Sequence, residues 1–306
     1  MRVFRGLPAA ADAPIALTIG TFDGIHRGHQ AMLSRLREAA EDLALPASVL
    51  TFDPHPREFF APASAPPRLS TLRDKLDRFA AHGVERTYVA RFDARLASIP
   101  PDMFIDDVLV LRLGTRWLLV GDDFRFGRGR AGDTAMLRSA SSPFSVEVLR
   151  TVMVDGERAS STVVRDALAD ADLERAARLM ARPYTMSGHV VHGRKLGRSL
   201  GFPTANIPLH YRPPLSGIFA VRVHGLGSTP RTGAASLGVR PTITSEGKPL
   251  LEVFIFDFDE AIYGRRITVE FMHKLRHEER YDDLDALTTQ IGRDVAQARE
   301  YFAARG

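Results

Sequence analysis

Ten consecutive residues near the start of the chain, residues 20–29, contain three glycines and two histidines in the order GTFDGIHRGH. They follow the apolar run Ile15–Ile19, which predicts a buried strand, and precede an amphipathic pattern that predicts a helix. Glycines between a strand and a helix N-terminus let backbone amides approach an anion closely. His26 and His29 can both donate hydrogen bonds to phosphate. The stretch predicts a nucleotide phosphate site, although two histidines at this spacing are also compatible with a metal site.

Three further polar segments of the first half lie close to predicted strands or helix starts. The segment TFDPHP contains Asp53, Pro54 and His55, and residues 121–133 read GDDFRFGRGRAGD. Both follow predicted strands, and the carboxyl ends of parallel strands form the ligand-binding edge of a sheet. Residues 158–165, RASSTVVR, combine preferred helix caps with an arginine whose planar group suits phosphate. From these residues alone, a solvated loop at 121–133 and simple helix capping at 158–165 remain open.

The second half has one comparable segment, residues 192–207, with the sequence HGRKLGRSLGFPTANI. Its composition alone is typical of a polar loop that ends in a proline turn. Further along, Glu252 stands between Leu251 and Val253 in a predicted strand. A carboxylate between apolar residues is partly buried and needs compensation. Glu252 is therefore either paired with an arginine or used in chemistry.

Length and composition indicate a globular protein of two domains. The 306 residues are 44% hydrophobic and 25% charged, with a formal net charge of +4 and no cysteine. Absence of cysteine excludes disulfides and thiol catalysis. There is no dense basic run and no apolar run of membrane-spanning length, and we expect no signal peptide. We expect a cytoplasmic protein, monomeric or weakly homo-oligomeric, that acts on small molecules and binds neither nucleic acid nor membrane.

The elements that must position these segments differ between the two halves. In the first half, strands at 15–19, 47–51, 87–91 and 117–120 alternate with helices, which predicts a mainly parallel sheet. In the second half, five strands at 188–192, 217–224, 232–238, 251–256 and 266–273 lack intervening helices, which predicts an antiparallel barrel. A final helix carries one apolar stripe: Leu284, Leu287, Ile291, Val295, Ala298 and Phe302. Because Pro183 ends the preceding helix, the predicted domains are residues 1–183 and 184–306.

Taken together, these motifs resemble one family over about residues 15–302, in the family's order. GTFDGIHRGH resembles the HxGH signature of nucleotidylyltransferases in the form found in prokaryotic FAD synthetases, which are bifunctional riboflavin kinase/FMN adenylyltransferases. The segments DDFRFG and SSTVVR resemble nucleotide-site motifs of the same family. GFPTAN, SLGVRPT, LEV and LRHE resemble its riboflavin kinase signatures. The resemblance implies a Rossmann-like α/β nucleotidylyltransferase domain, followed by an antiparallel riboflavin kinase barrel with a terminal helix.

The resemblance also implies an activity: riboflavin is phosphorylated to FMN, and FMN is adenylylated to FAD, with ATP as co-substrate and Mg²⁺ as cofactor. It implies ATP and phosphate binding at Gly20, Phe22, Asp23, Gly24, His26, His29, Ser160, Ser161, Thr162, Arg165, Gly193, Lys195, Gly201, Thr204 and Asn206. It implies flavin binding at Asp53, Pro54, His55, Asp123, Phe124, Arg125, Phe126, Arg276 and Glu278. Glu252 corresponds to the family's catalytic base, and Thr204 and Asn206 to its metal ligands. His29 and Arg165 are expected to stabilise charge during adenylyl transfer.

Three other functions compete with this interpretation. The chain could be a kinase whose first domain has lost adenylylation, but His26, His29 and Arg165 are all present. It could be a cytidylyltransferase acting on a phospho-alcohol, but GFPTAN argues against that. It could store or sense flavin without turnover, but Glu252 argues for catalysis.

Overall fold

The computed structural model describes residues 1–139, 143–193, 197, 200–239, 249–281 and 283–305. The chain divides into two compact units. The first comprises Met1–Pro66 and Ser70–Ser161, and the second comprises Pro67–Leu69 and Thr162–Gly306. This division falls after the first residue of the helix Ser161–Ala169, well before residue 183, so the boundary at residues 183 and 184 stays a prediction.

The centre of the first unit is a sheet of six parallel strands. They are β1 (Arg2–Arg5), β2 (Ile15–Ile19), β3 (Ala47–Asp53), β4 (Arg86–Arg91), β5 (Thr115–Gly121) and β6 (Ser145–Leu149). Their order is β1-β4-β3-β2-β5-β6. All five residues of the central strand β2 are buried, as expected of a parallel strand that is covered on both faces.

Helices and turns connect these strands. They are α1 (Arg27–Asp42), α2 (Pro56–Phe60), α3 (Leu72–Ala81), α4 (Ala94–Ala97), α5 (Pro101–Met103), a π-helical continuation (Phe104–Arg112), α6 (Thr134–Ser139), and 3-10 turns at Pro62–Ser64 and Arg128–Arg130. A two-stranded hairpin, β7 (Met153–Val154) and β8 (Glu157–Arg158), precedes Ser161. Ile15, Leu17 and Ile19 belong to one apolar cluster and Ala16 to another. Successive side chains of a strand point to opposite faces, so the sheet has a core on each side.

The second unit is built on an antiparallel sheet. Its elements are α7 (Ser161–Ala169, whose first residue belongs to the first unit), α8 (Leu173–Met180), β9 (Thr185–His189), β10 (Thr204–Pro208), β11 (Gly217–His224), β12 (Arg231–Val239), β13 (Pro249–Ile255), β14 (Arg266–Arg276) and α9 (Leu284–Ala303). The order is β10-β13-β12-β11-β14-β9. The amide of Val191 donates to the carbonyl of Asn206 at 2.9 Å, which brings the two edge strands together. The sheet is thus a nearly closed barrel, on which α9 packs through Ala298 against Ala220 and Ala234.

This architecture confirms the predicted fold class: a parallel α/β domain, an antiparallel barrel and a terminal helix. Within it, the barrel has six strands where the sequence predicts five. The additional strand is β10, which begins at Thr204 of the predicted proline turn. Its extended conformation follows from pairing with β13. This pairing cannot be predicted from the local sequence. Among the residues described, no helix is both long enough and apolar enough to cross a membrane.

Candidate active sites

The loop of residues 20–26 has an unusual backbone. Phe22, Gly24 and Ile25 have φ values of 50°, 81° and 41°. Non-glycine residues in this left-handed region are strained and need surrounding structure to hold them. The side chains of Phe22 and Ile25 are buried, so packing supplies part of that support.

Hydrogen bonds supply the rest. Ser70 donates from its amide and its hydroxyl to Oδ1 of Asp23, each at 3.1 Å, and its Oγ accepts from the amide of Gly24. Ser161 Oγ donates to the carbonyl oxygen of Asp23 at 2.9 Å. Asp23 is expected to bind phosphate, yet its side chain is buried. In this structure its carboxylate organises the loop.

His26 and His29 stack at the start of α1. Their ring centroids are 3.8 Å apart, and the His29 ring lies 5.0 Å from that of Phe22. A Cβ atom on Gly28 would lie 3.0 Å from the Ala159 carbonyl oxygen and 3.1 Å from the His26 ring, so glycine permits this close approach. Within the described residues, His26 provides no side-chain cap and the first turn carries no acidic residue. A helix N-terminus of this kind suits an anion.

The RASSTVVR segment runs from Arg158, the last residue of β8, into the first turns of α7. Ser161 is the first residue of this helix and contacts the loop as described above. Thr162 and Arg165 belong to the second unit, where Arg165 Nε donates to the Pro67 carbonyl at 2.6 Å. Ser160 directly precedes the helix.

The residues of the first unit expected to bind flavin lie after β3 and β5. Asp53 is the last residue of β3, and Pro54 connects it to His55, which caps α2 by accepting from the Arg57 amide. Beside them is a feature that we did not predict. Phe59 and Phe60 are 37% and 66% exposed and form edge contacts with Phe92. Two adjacent phenylalanines directly after a ligand-edge loop are the sequence signal for it.

Two ion pairs engage charged side chains of the segment after β5. Asp123 accepts from Arg158 at 2.5 Å, and Arg125 donates to Asp133 at 3.0 Å. Phe126 is buried in the apolar core of the unit, whereas Phe124 stacks on it and is half-buried. Of the two aromatic rings, Phe124 is therefore the one that a ligand can reach.

The barrel brings together residues that are far apart in the chain. Strand register places Asn206 opposite Glu252, and Glu252 opposite Ser236. Paired residues on neighbouring antiparallel strands share a face, so these three side chains form one row. Thr204 is two residues before Asn206 and lies on the same face. The row lines a cavity of about 450 Å³ whose other walls include Phe254, Arg276 and Glu278.

Asn206 has the geometry of an oxygen ligand. It is 6% exposed, and its Nδ2 donates to the Thr204 carbonyl at 3.0 Å. Its Oδ1 is buried and accepts no hydrogen bond from any residue that the structure describes. Gly193 lies directly against this amide, since a Cβ there would be 2.6 Å from Oδ1. A buried amide oxygen with an open acceptor position fits Mg²⁺, which prefers hard oxygen ligands.

Arg276 and Glu278 form the wall near α9. Arg276 makes a bidentate ion pair with Asp294, with Nε–Oδ1 and Nη2–Oδ2 distances of 2.8 and 2.7 Å. Burial raises the pKa of the Glu278 carboxyl, and the charge of Glu252 adds to this, while a hydrogen bond from Ser236 opposes it. Asp294 was not predicted, although an acidic residue within the apolar stripe of α9 is a signal for it.

Some predicted positions give little or no geometry. Lys195 lies outside the described residues, as do Arg240, Pro241 and Thr242 of the SLGVRPT segment. Gly201 is exposed with φ of 84° and has no atoms near its hypothetical Cβ. In the described part of the chain, no group of three or more His, Asp or Glu residues is placed to hold a metal ion.

The chain combines a parallel α/β unit, in which a histidine-bearing loop precedes a helix N-terminus, with a barrel that contains a carboxylate-lined cavity. This combination defines a two-module nucleotide-dependent transferase. Family profiles agree: the FAD synthetase profile matches residues 9–163 and the riboflavin kinase profile matches residues 180–302. The chain is 45% identical to the bifunctional riboflavin kinase/FMN adenylyltransferase of Escherichia coli K12, covering 99% of this chain and 98% of that protein. It is 49% identical to the Pseudomonas fluorescens protein of the same name, covering 94% and 92%.

The chain therefore belongs to the bifunctional riboflavin kinase/FMN adenylyltransferase family. It is an enzyme that converts riboflavin to FMN and FMN to FAD. A solved structure titled a macrolide-efflux protein from Streptococcus pneumoniae shares the fold, with a TM-score of 0.79, 27% identity and coverage of 96% of this chain and 97% of that one.

Proposed function

We propose that the barrel cavity is the riboflavin kinase centre and that Glu252 is its general base. Glu252 takes the proton from the 5′-hydroxyl of the riboflavin side chain. The oxygen then forms a bond to the γ-phosphorus of ATP as the bond to the leaving ADP breaks. The observation that carries this proposal is the register of β10, β13 and β12, which aligns Asn206, Glu252 and Ser236 on one cavity wall.

In this proposal Asn206 and Thr204 hold Mg²⁺ together with the phosphates of ATP. The open Oδ1 acceptor of Asn206 supports the assignment, and the hydroxyl of Thr204 adds a second oxygen. When bound, the ion neutralises charge on the phosphates. Asn206 is held for this role by its hydrogen bond to the Thr204 carbonyl, which keeps the amide oxygen toward Gly193.

For FAD formation, the phosphate of FMN attacks the α-phosphorus of ATP and pyrophosphate leaves. A phosphate nucleophile has no proton that must be removed, so this centre needs no general base. Its residues position the reactants and stabilise charge. We assign these roles to His26, His29 and Ser161, together with Arg165, whose guanidinium can bind phosphate oxygens in pairs.

The remaining expectations belong to the same proposal. We place the boundary between the two catalytic domains at residues 183 and 184, after the end of the FAD synthetase match at residue 163 and just inside the riboflavin kinase match, which begins at residue 180. We expect a monomer or weak homo-oligomer that acts in the cytoplasm and binds neither nucleic acid nor membrane.

The test is a time course with riboflavin, ATP and Mg²⁺ in which riboflavin, FMN and FAD are resolved. The wild-type protein should form FMN first and FAD afterwards. Glu252→Gln should abolish FMN formation and still convert supplied FMN to FAD. His29→Ala should do the reverse, with FAD formation reduced about a hundredfold, the usual effect of losing one preorganised donor. Kinase turnover in Glu252→Gln would show that Glu252 is not the base.

A further inference from the structure

Besides Ser161, a second neighbouring segment holds the loop of residues 20–26. It is residues 70–79, which contain Ser70 and the first two turns of α3. Ser70 contacts Asp23 and Gly24, as described above. Lys75 Nζ donates to the carbonyl oxygen of Thr21 at 3.0 Å. The ring of Phe79 meets that of Phe22 edge to face, with centroids 5.2 Å apart. All four loop residues from Thr21 to Gly24 thus have a partner on this segment.

Lys75 is the unexpected member of this segment. It is 6% exposed, and burying an ammonium group is costly unless its environment compensates for it. Lys75 and Phe79 are one turn apart, so both side chains lie on the same face of α3. Thr71 and Asp74 form a capping box at the start of the helix, which fixes the first turn from which Lys75 projects.

We propose that Lys75 is a positioning residue for adenylyl transfer, because it holds the Thr21 carbonyl and thereby the left-handed backbone at Phe22. Phe22 in turn contacts the ring of His29. The chain of contacts therefore runs from Lys75 through Thr21 and Phe22 to His29. This inference rests on the proposed role of the loop as the ATP site.

The charge of Lys75 has a second effect on the same site. In a poorly solvated environment an ammonium group interacts with other charges more strongly than in water. It therefore adds positive potential at the loop that is proposed to bind the triphosphate, opposed by the carboxylate of Asp23, which is buried in the same loop. Loss of Lys75 should both loosen the loop and weaken this potential.

The test compares Lys75→Met with Arg73→Met. Methionine keeps most of the volume of the lysine side chain but has neither donor nor charge. Arg73 is on the same helix, exposed and paired with Asp77, so its replacement removes a cation without touching the loop. We expect Lys75→Met to lower kcat/KM for FMN adenylylation at least tenfold, to raise KM for ATP and to leave riboflavin phosphorylation unchanged. Arg73→Met should match the wild type within twofold.

Thermal unfolding and a conservative variant separate positioning from loss of structure. Lys75→Arg keeps the donor and the charge and should recover at least part of the lost adenylylation. The inference fails if Lys75→Met retains adenylylation within twofold of the wild type. It also fails if a folded Lys75→Arg is as inactive as Lys75→Met, since donor and charge would then not be what matters.

His29→Ala, measured in parallel, distinguishes this inference from the proposed function. If His29→Ala loses adenylylation and Lys75→Met does not, the ATP site stands and the role of Lys75 is wrong. If neither variant loses it, the proposed ATP site itself is wrong.

Discussion

A single methyl group added at Gly193 should disable the kinase centre and leave FAD synthesis from FMN intact. In the structure, a Cβ at this position would lie 2.6 Å from Oδ1 of Asn206 and 2.7 Å from both Cγ and Nδ2. Ordinary van der Waals contact begins at 3.4 Å. Because it is the end of a side chain, the amide of Asn206 is the group that we expect to retreat by about 0.8 Å or rotate away.

The displacement determines the expected magnitude. Either movement strains or breaks the hydrogen bond from Asn206 Nδ2 to the Thr204 carbonyl, a bond of about 1 kcal/mol net. The larger effect is on catalysis, because misplacing a reacting or coordinating group by about 1 Å can cost about a hundredfold in rate. We expect Gly193→Ala to reduce kcat for FMN formation by about 30- to 100-fold.

Steady-state assays of both activities on one preparation measure this effect. Gly227→Ala is the matched control, since Gly227 is in the same unit and has no atom within 4 Å of its hypothetical Cβ. It should leave both activities unchanged. Kinase turnover in Gly193→Ala within threefold of the wild type would contradict this prediction, because a Cβ at 2.6 Å from Oδ1 requires the amide or the backbone of Gly193 to shift.

Three further outcomes follow from the structure. Asp294→Asn leaves the Arg276 guanidinium without its buried carboxylate. Urea unfolding should show that the free energy of unfolding falls by about 2–3 kcal/mol, less than for a fully buried pair because Arg276 is partly exposed. An unchanged free energy of unfolding would mean that the pair is energetically neutral. Gly292→Ala, at a helical position with open space around it, should raise stability by about 0.5–1 kcal/mol, and a decrease would reveal a contact that the structure does not contain. Glu278 has a raised pKa in the folded state, so the folded protein binds this proton more tightly than the unfolded chain does. The free energy of unfolding should therefore fall as pH rises from 4.5 through the folded pKa. Glu278→Gln should flatten that dependence, and an unchanged pH profile of stability in this variant would contradict the prediction.

Much of the fold is predictable because its signals are local. The pattern of apolar residues alone predicts both the buried run Ile15–Ile19 and the stripe on α9. Two of the strands that were not predicted, β1 and β10, are of another kind. β1 (Arg2–Arg5) is a mostly exposed edge strand, and it is a strand because it pairs with β4. β10 begins in a segment whose proline and asparagine are typical of turns, and its partner β13 overrides that preference.

The site residues also divide into those that the sequence predicted and those that it did not. Resemblance and spacing pointed to Glu252, Asn206 and the histidine pair. Lys75 was not predicted, because a lone lysine on a helix is usually solvated and its partner Thr21 is 54 residues away. Phe126 was expected at the flavin site as one of two similar rings, and only packing distinguishes it as a core residue.

The sequence by itself determined the change from alternating strands and helices to an antiparallel barrel. It also determined where the glycine- and histidine-bearing loops fall relative to strands. Both properties depend on neighbouring residues, whose backbone preferences and polarity are readable from the chain. Only the tertiary structure decided which groups meet: Asn206 opposite Glu252, and Lys75 behind the Thr21 carbonyl. These pairings depend on strand register and helix packing, because a one-residue slip would turn the same side chain to the opposite face.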